Sequence, residues 1–267
     1  VVTATISTQT IADLDDLTGT GNAYTITVGD SSVTAAALNT VDAATTVVVT
    51  ATAVTTITGS ASAVNTALSA SGINGLGEEF VTLTGSTSVA DANTVSGKTT
   101  GAVTATITEG DVSTLKTLNE TTNAYTLVIT DTTVAVADLE TLDGLTTVAV
   151  NASNVTTLTG TISAVTDIYA ANTAGTISGL GNEAVTISDT TSVAVASLNT
   201  LDGKTTGAIN ASTIQSLTGT AADLNTAYAS SGISGLGNEA VTLSDTSLAT
   251  TVLNTLDGNT TGAVNAA

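Results

Sequence analysis

The sequence of 267 residues contains no Pro, Cys, Met, Trp or His, and its three basic residues against 23 acidic ones give a formal net charge of −20. These absences exclude an imidazole base, a thiolate nucleophile and soft metal sites built from thiolates. The charge predicts that the chain does not bind nucleic acid, because such binding requires cations that neutralise phosphates. We therefore predict no enzymatic activity and assign no catalytic or cofactor-binding residue.

The apolar content argues against intrinsic disorder. Hydrophobic residues make up 42% of the chain, and many of them are Val, Ile and Leu at fixed spacing. A disordered chain of this charge would have far fewer of them. No apolar run approaches the ~20 residues that a membrane-spanning helix needs. We therefore expect a core built by repetition, with no membrane span.

Short β-type segments recur along the chain, each with an apolar residue at one position and usually another two residues later. They begin at Val2, Tyr24, Val47, Val81, Val103, Tyr125, Val148, Val185, Ile209, Val241 and Val264. Seven of the ten intervals are 22 to 24 residues, and the other three contain an insertion that ends in Gly-Leu-Gly, at 75–77, 179–181 and 235–237. An interval of this size suits one coil of a solenoid, in which each coil adds one strand to a parallel sheet.

Between these segments the apolar residues recur at every third position, which indicates a short helix rather than a strand. Examples are Ile11-Leu14-Leu17, Val89-Ala92-Val95, Val112-Leu115-Leu118 and Val195-Leu198-Leu201. Candidate helix N-caps are Asp111, Asp131, Asp189 and Asp245, with Thr220 and Asp223 as a capping box. Gly144, Gly203 and Gly258 stand where a helix would end. The fold class predicted is an α/β solenoid of ~22-residue coils, with some coils enlarged. The alternative is an all-β parallel β-helix, because Thr and Val favour strands.

A longer unit of 101 residues is also visible. The sequence VTATI at 2–6 returns at 103–107, and NAYT at 22–25 returns at 123–126. We predict a single continuous solenoid segment over residues 1–267, with superrepeats at 1–101 and 102–205 and a partial third copy at 206–267. The chain begins at Val1 and stops at Ala267 within the pattern, so we expect it to be part of a longer repeat protein. An open-ended solenoid is expected to continue into further coils or to dock onto another copy.

Asp143, Asp202 and Asp257, in the repeated Leu-Asp-Gly turns, are candidate calcium ligands. Stacked Asp turns bind Ca²⁺ in some β-rolls. Each turn brings one carboxylate, however, whereas Ca²⁺ takes six to eight oxygens. The alternative is that these residues only close the helix. Calcium is thus the one cofactor that the sequence suggests, and otherwise none is expected.

Other polar residues recur at equivalent positions. Asparagines recur within strands and just before tyrosines, and they are predicted to form amide ladders between neighbouring strands, with ligand binding as the alternative. They are Asn151, Asn210, Asn265, Asn22 and Asn123. Tyr24, Tyr125, Tyr169 and Tyr228 are predicted to fill wide core layers or to cover the insertions, and to keep their hydroxyls at the surface. The 62 threonines show irregular spacing, which argues against the regular rows of an ice-binding surface.

The segments GISGLGNEAVTLSDTS at 232–247 and LNTLDGKTTGAINAS at 198–212 carry a resemblance that covers the whole chain. The chain resembles the long Thr/Ala/Asp-rich repeat arrays of giant secreted cell-surface proteins of marine unicellular cyanobacteria, of the type associated with swimming. The resemblance implies an extracellular structural repeat, and it supplies no catalytic residue.

We therefore predict a secreted or cell-surface protein that is a structural repeat segment of an extracellular filament or giant surface protein. It would act as a stiff rod and assemble with copies of itself or adjoining repeats through its ends or flanks. The alternative is the stalk or body of an adhesin, with or without calcium, whose partner is a glycan or another cell.

Overall fold

The structure, a computed structural model, describes residues 1–14 and 16–266. It is α/β, with short helices alternating with short parallel strands. The helices are α1 (Ile11–Leu14), α2 (Ala35–Ala44), α3 (Ala61–Ser69), α4 (Val89–Ser96), α5 (Val112–Leu115), α6 (Val136–Gly144), α7 (Ile162–Ala174), α8 (Val195–Asp202), α9 (Ala221–Ala229) and α10 (Thr250–Asp257). Each helix, with its flanking strands, is called a coil below.

The strands have two to four residues each. They are β1 (Thr3–Thr5), β2 (Ala23–Thr25), β3 (Ser32–Thr34), β4 (Val49–Thr50), β5 (Thr56–Gly59), β6 (Ile73–Asn74), β7 (Phe80–Leu83), β8 (Val103–Thr106), β9 (Ala124–Thr126), β10 (Thr133–Ala135), β11 (Val150–Asn151), β12 (Thr157–Gly160), β13 (Ile177–Ser178), β14 (Ala184–Ile187), β15 (Ser192–Ala194), β16 (Ile209–Asn210), β17 (Ser216–Gly219), β18 (Ile233–Ser234), β19 (Ala240–Leu243) and β20 (Val264–Ala266).

The helices confirm the α/β prediction and show that the all-β alternative is wrong. The three apolar residues of α8, Val195, Leu198 and Leu201, are fully buried, as the three-residue spacing predicts. Hydroxyl side chains begin several helices, and Thr220 Oγ1 accepts a hydrogen bond from the N–H of Asp223 at the start of α9. Such a cap satisfies a backbone donor that the first helical turn leaves free.

Eleven strands lie at or within two residues of the predicted positions, but the chain also forms a second set. Several of these additional strands, such as β3, β10 and β15, run directly into the following helix. They are short, and each buries a single apolar side chain between two exposed residues, as at Val33, Val134 and Val193. One buried residue is too weak a signal to predict a strand of three residues. The prediction of one strand per coil is therefore incomplete.

The described residues group into two compact units, Val1–Val128 with Gly144–Val148, and Ile129–Asp143 with Ala149–Ala267. The prediction of one continuous segment stays a prediction. In the first unit the main parallel sheet has the order β3-β5-β7-β8-β9, beside the pairs β1-β2 and β4-β6. Its register aligns Val33, Ile57, Val81 and Val103, all buried, at intervals of 24, 24 and 22 residues.

The second unit repeats this pattern. Its sheets have the orders β10-β12-β14-β16-β18 and β15-β17-β19-β20, with β11-β13 as a further pair. Buried Val134, Leu158, Val185 and Ile209 are in register across the first of these sheets. Each unit thus has a core in which one apolar side chain per strand lies on its counterpart in the next coil, and burial of these rows stabilises the fold.

The acidic residues placed as helix N-caps have two different roles. Asp111 caps its own helix α5, and its carboxylate accepts from the N–H of Thr114 at 2.9 Å. The prediction for Asp189 and Asp245 is wrong, because each caps the helix of the preceding coil: Asp189 accepts from Ile162 N–H at 2.8 Å, and Asp245 from Ala221 N–H at 2.7 Å. Asp131 precedes β10 and lies five residues before α6, so it is not the cap of that helix.

The same inter-coil capping occurs in the first unit. Asp30 accepts from the N–H of Ile11, and Glu109 accepts from the N–H of Val89 at 3.1 Å. This arrangement is difficult to predict from the sequence, because the capping carboxylate lies 19 to 27 residues after the first residue of the helix. A negative charge at a helix N-terminus is favourable, so these carboxylates stabilise the contact between successive coils.

Candidate functional site

The three candidate calcium ligands lie at or next to the last residue of their helices. Asp143 accepts a hydrogen bond from the Thr176 hydroxyl at 3.1 Å, and Asp202 accepts one from the Ser230 hydroxyl at 2.7 Å. Asp257 is the last residue of α10. These contacts join the end of one helix to the chain that leaves the next, which is a structural use of the carboxylates.

The structure does not bring these aspartates into one group. Over residues 1–14 and 16–266, no cluster of three or more His, Cys, Asp or Glu side chains is arranged to hold a metal ion. Calcium binding by Asp143, Asp202 and Asp257 therefore stays a prediction. The glycines after them end the helices, as predicted, but Gly203 and Gly258 are C-caps with right-handed φ values of −75° and −74° rather than the left-handed conformation usual for a glycine after a helix.

Three buried glutamates, which the sequence analysis did not single out, lie just after the Gly-Leu-Gly loops. Glu79, Glu183 and Glu239 are 2%, 0% and 1% exposed. Each carboxylate accepts a hydrogen bond from the N–H of the loop's second glycine, Gly77, Gly181 or Gly237, with closest N···O distances of 2.8, 2.8 and 2.9 Å. We call these the first, second and third Glu junction. The recurring Gly-Leu-Gly-x-Glu sequence was the available signal.

Two tyrosines complete the second and third junctions. Tyr169 and Tyr228 donate their hydroxyls to the carboxylates of Glu183 and Glu239, both at 3.0 Å. Burial raises the pKa of both tyrosines well above its ordinary value. The prediction that the tyrosine hydroxyls lie at the surface is wrong for Tyr169, which is 3% exposed, and for Tyr125, which is 0% exposed, whereas Tyr228 is half-buried. A buried hydroxyl needs a partner, and the carboxylate supplies it.

The other two tyrosines pair with asparagine instead, and here the tyrosine hydroxyl is the acceptor. The fully buried hydroxyl group of Tyr125 accepts a hydrogen bond from Asn123 Nδ2 at 2.9 Å, and Tyr24 accepts one from Asn22 Nδ2 at the same distance. Burial raises the pKa of Tyr125. The equivalent contacts, 101 residues apart, show that the superrepeat conserves local structure as well as sequence.

Both outer glycines of each loop have positive φ, and the first one also touches backbone of the preceding coil. A Cβ on Gly75, Gly179 or Gly235 would lie at most 2.8 Å from a backbone atom of Thr52, Ser153 or Ser212, with φ between +82° and +90°. Only glycine combines this conformation with this approach. The Gly-Leu-Gly loop therefore packs directly against the backbone of the preceding coil.

Five Thr-Thr pairs join one coil to the next. The first hydroxyl of each pair donates to a carbonyl oxygen 20 to 22 residues earlier: Thr45 to Tyr24, Thr99 to Glu79, Thr146 to Tyr125, Thr205 to Glu183 and Thr260 to Glu239, at 2.6 to 2.9 Å. The same hydroxyl accepts from the N–H two residues later, as Thr205 does from Gly207 at 2.9 Å. These threonines satisfy backbone groups where the strands turn, a role their spacing did not reveal.

The predicted asparagine ladders do not form. Asn151 and Asn210 instead accept from the N–H of Ser153 and Ser212, each two residues later. Their sheet neighbours in register are Ser and Thr residues, and Asn265 is in register with Thr242. Asparagine in a turn often bonds its own backbone in this way.

Threonines do form a row on the outer face of the main sheet in the first unit. Thr34, Thr58, Thr82 and Thr104 are in register in four neighbouring strands. These four threonines lie 24, 24 and 22 residues apart, at the intervals of the buried row beside them. The row is not flat, since Phe80, 61% exposed, lies in the neighbouring outward position in β7.

Comparison with protein-family models, with curated proteins and with solved structures found no match for this chain. None of the helices among the described residues is long and apolar enough to cross a bilayer. The carboxylates discussed above are used to cap helices and to hold loops. The arrangement therefore joins successive coils through hydrogen bonds.

Proposed function

We propose that this chain is a structural repeat segment of an extracellular filament or giant cell-surface protein. In this proposal the coils form an α/β solenoid that acts as a stiff rod and assembles through its ends or flanks. The observation that carries the proposal is the recurrence of the same inter-coil bonds, from strands, helix caps and Thr-Thr pairs, at intervals of about one coil.

Stiffness would follow from this bonding. Within each compact unit, backbone ladders and buried apolar rows join neighbouring coils. Bending a rod built in this way would break many bonds at once. The acidic surface, at −20 for 267 residues, would keep rods apart laterally and soluble in the absence of screening ions. The lack of Cys, Met, Trp and His leaves few oxidisable side chains on an exposed fibre.

Small-angle X-ray scattering of the chain, and of two and three copies joined in tandem, tests the rod. We expect the maximum dimension to increase linearly with copy number, at ~4.8 Å for each added coil. A tandem pair whose copies are separated by a flexible Gly-Ser linker is the control, and its dimensions should vary more widely. Compact or freely jointed scattering from the direct tandem would contradict the rod.

Immunogold electron microscopy of the source cells tests the location. Label at regular spacing along fibres or across a surface coat is the expected result. Label confined to tips or contact points would favour the alternative, an adhesin stalk that binds a glycan or another cell. Label inside the cell would contradict both.

A further inference from the structure

The first Glu junction has an open groove of about 490 Å³ beside it. The groove lies between the turn that follows β4 and the loop that leads into β7. Its lining includes the hydroxyl residues Thr52 and Thr55, the apolar Leu76, the carboxylates Glu78 and Glu79, and the ring of Phe80. Small-ligand sites are concave and combine apolar or aromatic surface with a few polar groups that fix the orientation of the ligand.

Phe80 is unusual for its position. It is the only Phe in the chain, and it is 61% exposed on the outer face of the sheet, with Thr56 as its register neighbour in β5. The equivalent residues of the second and third junctions are Ala184 and Ala240, which begin β14 and β19. Because alanine forms the same strand twice, the fold does not require the ring.

A second difference between the three junctions lies two residues before Phe80. Glu78 corresponds to Asn182 and Asn238, so the first junction alone places an exposed carboxylate beside the aromatic ring. The surrounding sequence is otherwise closely matched: residues 58–83 align without gaps on 218–243, and both contain Gly-Leu-Gly followed by the buried glutamate. The two substitutions flank that glutamate and face the same groove.

We propose that this groove binds a neutral oligosaccharide. The face of Phe80 would stack on the apolar C–H face of a pyranose ring, and Glu78 would accept hydrogen bonds from sugar hydroxyls. Thr52 and Thr55 add hydroxyl groups at the other side of the groove. Uronates and sulfated sugars are disfavoured, because their charge would meet Glu78 on a chain of net charge −20.

Contact with a second protein copy fits this surface less well. The exposed apolar area is one ring, flanked by Glu78 and by the threonines of the sheet face. Burying that carboxylate in a protein interface would remove it from water, which costs free energy unless the partner supplies a cation or several hydrogen-bond donors. A sugar keeps the carboxylate hydrogen-bonded.

The inference does not rest on the rod proposal. Binding is measured on the soluble full chain, whereas the rod is tested by its dimensions, so either proposal can fail alone. Because the chain has one Phe, biosynthetic incorporation of 4-fluorophenylalanine would place a single ¹⁹F label at Phe80. Its resonance is a direct reporter of the groove.

The test titrates the labelled chain with cello-, chito-, manno-, xylo- and laminarihexaose, and with an oligogalacturonate of similar length. We expect at least one neutral hexaose to shift the ¹⁹F resonance saturably, and the anionic oligomer to leave it unchanged. Calorimetry on the unlabelled chain then gives the affinity for variants. Phe80→Ala, which restores the residue of the other junctions, should weaken binding about tenfold or more, a loss of ~1.4 kcal/mol.

Glu78→Asn should weaken binding severalfold, again by restoring the residue of the other junctions. Val128→Ala, which shortens another exposed apolar side chain of the first unit, is the matched control and should leave the affinity within twofold. Circular dichroism checks that each variant folds. Absence of binding by every neutral hexaose, or undiminished binding by Phe80→Ala, would overturn the proposal. Self-association that Phe80→Ala abolishes, without saccharide binding, would assign the ring to contact between copies instead.

Discussion

The second and third Glu junctions have a hydrogen-bonded tyrosine, and the first does not. Tyr169 and Tyr228 are the eighth residues of α7 and α9, whereas the eighth residue of α3 is Leu68. Among the described residues, Glu79 accepts a hydrogen bond from Gly77 N–H only, while Glu183 and Glu239 each have a second donor. The backbone of the loop is nevertheless the same in all three.

Comparison of the three junctions distinguishes the contacts that all of the loops share from the tyrosine contact that only two of them have. Three features are shared by all junctions: the positive-φ glycines, the Gly N–H to carboxylate bond and the Thr hydroxyl on the glutamate carbonyl. The tyrosine is therefore an addition to a loop that forms without it, and we expect its hydrogen bond to increase stability. The ring of Phe80 and the charge of Glu78 occur at the junction that lacks the tyrosine.

The largest expected effect on stability comes from the first glycine of the Gly-Leu-Gly loop, whose backbone conformation all three junctions share. Gly179→Ala should lower the free energy of unfolding by about 3 kcal/mol, because it combines positive φ with a Cβ placed 2.8 Å from backbone atoms of Ser153. Gly175→Ala is the matched control: its φ is +86°, but a Cβ there meets nothing within 4 Å, so it should cost only about 1 kcal/mol. Urea denaturation measures both, and equal losses would show that close packing of the loop is unimportant.

Replacement of the junction glutamates by alanine tests whether the carboxylate with two donors contributes more to stability than the carboxylate with one. Glu183→Ala should destabilise by about 3 kcal/mol, because it leaves both Gly181 N–H and the Tyr169 hydroxyl without their acceptor. Glu79→Ala deletes the same atoms but leaves only Gly77 N–H unpaired, so we expect a loss smaller by about 1 kcal/mol. Denaturation of the two variants side by side gives the difference. A greater loss at Glu79 would mean that its carboxylate has a partner beyond Gly77.

The threonine pairs give an intermediate effect. Thr205→Val keeps the shape but removes the bonds to the Glu183 carbonyl and to Gly207 N–H, at a cost of about 1–2 kcal/mol. Thr206→Val is the control, because that exposed hydroxyl lies 3.5 Å from the Gly181 carbonyl oxygen and should matter by less than about 0.5 kcal/mol. Thermal melting followed by circular dichroism ranks the two. Equal melting temperatures for the two variants would show that the hydroxyl of Thr205 does not make the stabilising bonds assigned to it.

The smallest effect exchanges the tyrosine between junctions. Tyr228→Phe should cost about 1 kcal/mol, since it deletes one hydrogen bond to Glu239 and keeps the ring. In the first junction, Leu68→Tyr should be more stable than Leu68→Phe by a similar amount, because the hydroxyl would gain Glu79 as acceptor. The Phe variant controls for the volume of the ring. No difference between the two would show that Glu79 is out of reach of that hydroxyl.

The repeat length and the helices could be predicted from the sequence, and the inter-coil contacts could not. Apolar residues at fixed intervals, such as Val195, Leu198 and Leu201, reveal a buried helical face because spacing alone determines it. Asp189 and Thr205 bond to residues in an adjacent coil, so their roles depend on how coils align in space. The buried glutamates were missed because acidic residues are expected at the surface unless a partner is visible nearby in sequence.

The helix caps supplied by the next coil give the chain a direction of assembly. The N-terminus of α7 gains its carboxylate acceptor only when Asp189 is in place, and that of α9 only when Asp245 is. A newly synthesised coil would therefore stay incompletely stabilised until its successor emerges and folds against it. Each added coil would therefore make the coil before it harder to open.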